Sequence, residues 1–174
     1  MLKKLPYEIP PSVLNKANNI QLALFDVDGV LTDGSLYYNS SGESLKRFNV
    51  QDGLGLKMLQ HSGVQVGVIS AKQSSALNAR LTDLGINHQL TGISNKLTAF
   101  KTLIKTLNID PKNACFTGDD IIDSEVMSAC GLSFSVNNAH YTIKSIADWV
   151  SPIDGGEGAV RSICDLILYA KQAE

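Results

Sequence analysis

Short apolar runs alternating with amphipathic stretches set the strongest limit on how this chain of 174 residues can fold. The runs lie at 20–25, 64–69, 86–90, 114–117, 132–136 and 149–150. The stretches with helical spacing lie at 53–61, 74–84, 96–107, 121–130, 141–146 and 159–171. Runs this short and this apolar suit strands covered on both faces, and strands that alternate with helices in this order build a parallel sheet between helical layers. The predicted class is α/β: a Rossmann-like parallel sheet flanked by helices. No repeat, low-complexity stretch or long linker interrupts the pattern, and the length suits one domain. That single domain, 1–174, comprises an N-terminal extension over 1–19, the alternating core, and a Gly-rich segment with a terminal helix over 154–174.

One segment departs from the alternation. Residues 35–50, SLYYNSSGESLKRFNV, consist of two extended halves around a turn-like cluster at 39–42, which reads as a β-hairpin. It leaves the carboxyl end of the first strand, where open α/β sheets collect their ligands, so it can act as a flap over part of that edge.

Composition narrows the classes of partner. With 44% hydrophobic residues the chain can bury a core, and its formal charge of -2 leaves no basic footprint for nucleic acid or an anionic membrane. No apolar run reaches the roughly 20 residues that span a bilayer. The N-terminal MLKKLPYEIPPSVLNKANN has prolines and polar residues where a signal peptide needs an apolar stretch, so a cytoplasmic location is expected. Cys115, Cys130 and Cys164 are odd in number and set in apolar context, and they read as buried free thiols.

The first apolar run ends in Asp26-Val27-Asp28-Gly29. Side chains two apart on an extended segment point the same way, so Asp26 and Asp28 share one side while Val27 faces inward. Two carboxylates so placed repel each other unless a cation or a shared proton intervenes, and a hard divalent ion with oxygen ligands does this naturally. The alternative for either acid alone is a turn residue. Partners follow later strands: Ser70 after 66–69, Lys96 at the start of a helix, and Gly118-Asp119-Asp120-Ile121-Ile122-Asp123 after 114–117. A hydroxyl, an ammonium and a second acidic cluster on one sheet edge equip a site for phosphoryl transfer.

In this order, Asp-Val-Asp-Gly-Val, Ser70, Lys96 and Gly-Asp-Asp-x-x-Asp resemble the motifs of the haloacid dehalogenase superfamily over nearly the whole chain from residue 20. DVDGVLTDG, LKRFNVQDGLGLKML, SNK, GDDIIDSEVM and GGEGAVR further resemble the family of 3-deoxy-D-manno-octulosonate 8-phosphate phosphatases, which lack a large cap domain. The resemblance implies a magnesium-dependent phosphatase of lipopolysaccharide sugar synthesis that works through an aspartyl-phosphate. It implies Asp26 as nucleophile and Asp28 as general acid and base. Magnesium is then held by the Asp26 side chain, the Asp28 carbonyl and Asp119. Ser70 and Lys96 contact the phosphoryl oxygens, and Asp123 supports the metal waters or the lysine. Asp120 either joins that support or caps the following helix.

For the substrate's carboxylate, the resemblance points to Arg80, contributed across a subunit interface; a solvated helix arginine is the alternative. Where the family continues its second motif as Ser/Thr-Gly-Arg, this chain has Ser70-Ala71-Lys72, which keeps the charge of Lys72 without the arginine fork. The resemblance also implies a homotetramer built through the hairpins, with Tyr37, Tyr38 and Phe48 at the contact and the segment 155–158 covering a neighbouring site. A phosphatase for a nine-carbon keto-sugar acid phosphate, and a non-catalytic oligomerisation module of the same fold, are the competing readings.

Overall fold

The computed structural model describes residues 5–172; the first four residues of the expected extension and the last two of the segment 154–174 lie outside the described residues. In chain order the elements are α1 (Pro11–Asn18), β1 (Leu22–Phe25), β2 (Tyr37–Asn39), β3 (Gly42–Leu45), α2 (Val50–His61), β4 (Gln65–Ser70), α3 (Ser75–Asp83), β5 (His88–Thr91), α4 (Lys96–Leu107), β6 (Ala114–Gly118), α5 (Ser124–Ala129), β7 (Leu132–Ser135), α6 (Tyr141–Ile146), β8 (Trp149–Val150) and α7 (Ala159–Lys171). Six strands form one parallel sheet in the order β5-β4-β1-β6-β7-β8. The chain works outward from β1 in one direction and then returns to build the other half. The place where that order reverses lies beside β1, and there the flanking loops part to leave a crevice at the carboxyl ends of the strands.

The apolar runs become strands because both sheet faces are covered. All of Leu22, Ala23, Leu24 and Phe25 are buried. Their alternation sends Ala23 and Phe25 into the core beneath α1, α2, α3 and α7, and Leu22 and Leu24 into the core beneath α4 and α5. Helix α7 carries its apolar stripe (Val160, Ile163, Ile167) onto α1 and α2.

Three elements differ from the sequence reading. A helix, α1, occupies the extension, for which no element was predicted; proline at the first helical position lacks an N–H that would be unpaired there anyway. The predicted helix 121–130 is a 3₁₀ turn over Ile121–Asp123 followed by α5, because the Asp123 side chain turns back to the Asp119 and Asp120 N–H groups. Helix α2 starts three residues early, at Val50, because Asn49 caps it by accepting from the Gln51 N–H at 2.8 Å.

The hairpin forms as β2 and β3, with Tyr37, Tyr38 and Leu45 exposed. Phe48 is half-buried and packs on its own chain's core, with the Arg80 guanidinium 6.0 Å from its ring centroid. Cys115 and Cys164 are buried free thiols, and Cys130 is only half-buried.

Candidate active site

The ladder continues one step past β1: the Asp26 N–H donates to the Thr117 carbonyl at 2.9 Å, which sets the ends of β1 and β6 side by side. The chain then winds round one oxygen. Val27 O accepts from the Leu31 and Thr32 N–H groups at 2.9 and 3.1 Å, and the Thr32 hydroxyl accepts from the Gly29 and Gly34 N–H groups at 3.3 Å each. Gly29 has φ +93° and lies against the Asp119 carboxylate, where a Cβ would overlap the acid. The first acidic motif thus closes directly onto the second.

Lys96 opens α4, whose N-cap Asn95 accepts from the Thr98 N–H at 2.7 Å. A cation at a helix N-terminus opposes the helix dipole and needs an anion nearby. The buried ammonium has two, at 2.8 Å from Asp26 Oδ1 and 2.7 Å from Asp123 Oδ1. Burial alone would lower the Lys96 pKa, and the two carboxylates outweigh it and hold the pKa above its ordinary value. Asp123 is fully buried, and its other oxygen accepts from the Asp119 and Asp120 N–H groups at 3.0 and 3.3 Å. The Asp26 carboxyl is pushed up by burial and then by the charge of Asp123, against the pull of Lys96.

Asp119 draws only a weak pull from Lys96. Burial, followed by repulsion from Asp26, Asp123 and Asp120, pushes its pKa up to about 8, and its buried Oδ1 has no hydrogen-bond partner among the described residues. Asp26, Asp119 and Asp123 can each bring one carboxylate oxygen within 4.8 Å of the others. An orphaned buried oxygen in an all-oxygen donor set, with fewer positive than negative groups, fits a hard divalent cation such as magnesium.

Of the other residues singled out in the sequence, Ser70 ends β4 almost fully buried on the same sheet edge, and its Oγ accepts from the Lys72 N–H at 3.3 Å. Lys72 is exposed. Asp120 caps the 3₁₀ turn, accepting from the Ile121 N–H at 2.7 Å. Arg80 is not brought to the cluster within this chain; its guanidinium bonds Asp83 at 3.0 Å and the Asn49 carbonyl at 3.4 Å, bracing α3 against the start of α2. The Asp28 carboxylate stays outside the acidic trio and pairs with Lys46 at 2.5 Å. In the segment 155–158, Gly155 and Gly156 are buried against residues 29–33 of the same chain, and the Gly156 N–H donates to Val30 O at 3.0 Å, as a loop before the last helix would.

Two features went unread in the sequence. Lys46 reaches Asp28, and Arg47 joins Asp33 at 3.2 Å and Glu157 at 2.5 Å, linking the hairpin exit to both the first motif and the Gly-rich segment. The available signal was a Lys-Arg pair emerging from a hairpin beside an acid-rich loop. A cleft of about 490 Å³ opens beside Lys96, between Ala71, Asn95, Ile121, Ile122 and Glu125.

Residues 86–162 match the model of a haloacid dehalogenase-like hydrolase family. The 3-deoxy-D-manno-octulosonate 8-phosphate phosphatase of Salmonella typhimurium is 45% identical over 94% of this chain and 87% of its own length. The chain belongs to that phosphatase family. Among solved structures, the family's Yersinia pestis enzyme superposes with a TM-score of 0.91 at 43% identity, covering 93% of this chain and 88% of the other. The family's Moraxella catarrhalis enzyme, solved in complex with magnesium, phosphate and KDO, superposes with a TM-score of 0.89 at 39% identity over 92% of each chain.

Proposed function

We propose that the protein is a magnesium-dependent phosphomonoester hydrolase whose substrate is 3-deoxy-D-manno-octulosonate 8-phosphate. The observation that carries this reading is the imbalance at the strand ends: three carboxylates, one shared ammonium, and a buried Asp119 oxygen with no partner among the described residues. Kinship at 45% identity across nearly the whole chain supplies the substrate. The cleft beside Lys96 has the size of small-molecule sites, which supports a sugar leaving group there.

In this reading an Asp26 oxygen attacks phosphorus, the ester P–O bond breaks, and its electron pair leaves with the sugar oxygen, which takes a proton from Asp28. Asp28 then removes a proton from water as the water oxygen attacks the aspartyl-phosphate, and the Asp26 carboxylate is returned. Lys96 and the Ser70 hydroxyl donate to the phosphoryl oxygens, and Asp123 anchors Lys96. Held by Asp26, Asp119 and the Asp28 carbonyl, magnesium would supply the positive charge that lets an anionic nucleophile approach an anionic ester.

The same proposal includes a cytoplasmic homotetramer. Among the described residues no helix is long and apolar enough to cross a membrane. Leu36, Tyr37, Tyr38 and Leu45 form an exposed apolar surface at the hairpin, of the kind that subunit contacts cover. Light scattering that gave a monomer would remove the assembly. The activity is tested by phosphate release from a panel of eight- and nine-carbon keto-sugar acid phosphates, with magnesium and with EDTA. The eight-carbon ester should be preferred and EDTA should silence the reaction; preference for the nine-carbon ester would overturn the substrate assignment.

A further inference from the structure

The acidic residues at this sheet edge are not treated alike. Lys96 serves Asp26 and Asp123, and Asp119 is left to a cation, but Asp28 is taken by an ammonium from elsewhere in the chain. Lys46 directly follows β3, on a hairpin whose tyrosines and Leu45 face solvent, yet its own side chain is only 1% exposed and its Nζ lies 2.5 Å from Asp28 Oδ1. The next residue fixes that inward course: Arg47 is tied to Asp33 in the loop that carries Asp28, and by both guanidinium NH2 groups to Glu157.

We propose that Lys46 is the positioning residue for Asp28, holding its carboxylate out of the acidic trio and reserving one oxygen for proton transfer. This rests on the hydrolase reading above. An ammonium has only donors, so the oxygen that it engages, Oδ1, must accept, and the transferable proton then belongs on Oδ2. Without Lys46, Asp28 has no other side-chain partner among the described residues, and its carboxylate would be free to turn toward a cation bound at Asp26 and Asp119, where it would act as a ligand and not as an acid.

Leaving-group dependence isolates this role, because proton donation matters for an alkoxide and hardly for a phenoxide that is stable as an anion. The comparison is kcat/KM for glycerol phosphate and for 2,4-dinitrophenyl phosphate, at saturating magnesium, in the full-length protein. Lys46→Met should lose about ten- to hundredfold on the alkyl ester and less than about threefold on the dinitrophenyl ester, a part of the ~10²–10⁴-fold that general acid catalysis supplies. Lys46→Arg should recover most of the loss. Lys46→Met combined with Asp28→Asn should be no slower on the alkyl ester than Asp28→Asn alone, since the two act as one unit. If Lys46→Met does not fold, Lys46→Gln is read by the same ratio. Equal losses on both esters, or additive losses in the double variant, would overturn the positioning role while leaving the hydrolase reading intact. A wild type inactive on both esters would overturn that reading and this proposal with it.

Discussion

Asp119→Asn should make the metal-free protein more stable and at the same time deprive it of its response to magnesium. In the unfolded chain Asp119 is ionised at pH 7, with an ordinary carboxyl pKa of about 3.9. In the fold, burial and then the charges of Asp26, Asp123 and Asp120 push that pKa up to about 8. Taking on a proton at pH 7 against an unfolded value of about 3.9 costs at most about 4 kcal/mol, and relaxation and water around a half-buried group reduce this to about 1–3 kcal/mol. A neutral amide of the same shape removes that cost. For a domain of this size about 1 kcal/mol moves Tm by roughly 2–4 °C, so the variant should melt about 2–12 °C higher in EDTA at pH 7. The sign fixes a second feature. A raised carboxyl pKa means that wild-type stability recovers as pH falls from about 8 toward 4, so the gap between the two proteins should narrow in acid. Magnesium at about a hundred times its Kd should stabilise the wild type by about 2.7 kcal/mol and the variant far less. A folded variant that melted at or below the wild type in EDTA, or gained as much from magnesium, would refute the account of Asp119 as a carboxyl whose ionisation awaits a cation.

Asp26→Asn should keep the fold and lose nearly all turnover, since an amide cannot attack phosphorus; more than a few per cent of wild-type rate in phosphate release would end the covalent mechanism. Gly29→Ala should lower both stability and turnover, because its Cβ overlaps the Asp119 carboxylate at a φ of +93° where side chains are strained; unchanged melting and activity would show that the loop yields without consequence. Asp52, buried at the N-terminus of α7, has its pKa raised to about 6 chiefly by desolvation, so wild-type stability should rise as pH falls from about 6 to 4 and Asp52→Asn should flatten that rise by up to about 3 kcal/mol in urea titrations. Arg80→Ala should lose about ten- to hundredfold in kcat/KM on the keto-sugar acid phosphate and little on an aryl phosphate; equal losses on both would confine Arg80 to bracing α2 and α3.

The strands were legible because the sheet is covered on both sides. Leu22–Phe25 has to be apolar at every position, and no helix of a two-layer protein would need four consecutive buried side chains. The helices were legible in their middles and less so at their ends, where one side chain decides. Asn49 moves the start of α2 to Val50, and Asp123 replaces a helical turn by a 3₁₀ turn through bonds to two backbone N–H groups and to Lys96. Such a contact depends on where β6 and α4 meet, which periodicity does not encode. α1 was hidden for a related reason: it is held by packing on α7 and by a Lys16–Asp148 pair at 2.7 Å, partners more than a hundred residues away.

The site divides along the same line. Residues at strand ends could be gathered from the sequence because topology alone sends them to one edge: Asp26 after β1, Ser70 at the end of β4, Asp119 after β6. Lys46 and Arg80 could not, since each reaches its place by a side chain leaving an irregular or helical segment, and direction there is set by neighbours. Arg80 turns toward Asn49 and Asp83 and away from the acidic edge, while Lys46 turns inward because Arg47 is pinned by Asp33 and Glu157. Charge was the missing guide. The carboxylates at this edge outnumber the ammonium that the sequence reading assigned to them, and that deficit already called for more positive charge than Lys96 provides. Magnesium at Asp119, as proposed above, would answer part of it. The ion pair at Asp28 answers the rest, and it does so from the hairpin, which on the proposed reading would make that hairpin a contributor to the chemistry as well as a surface for assembly.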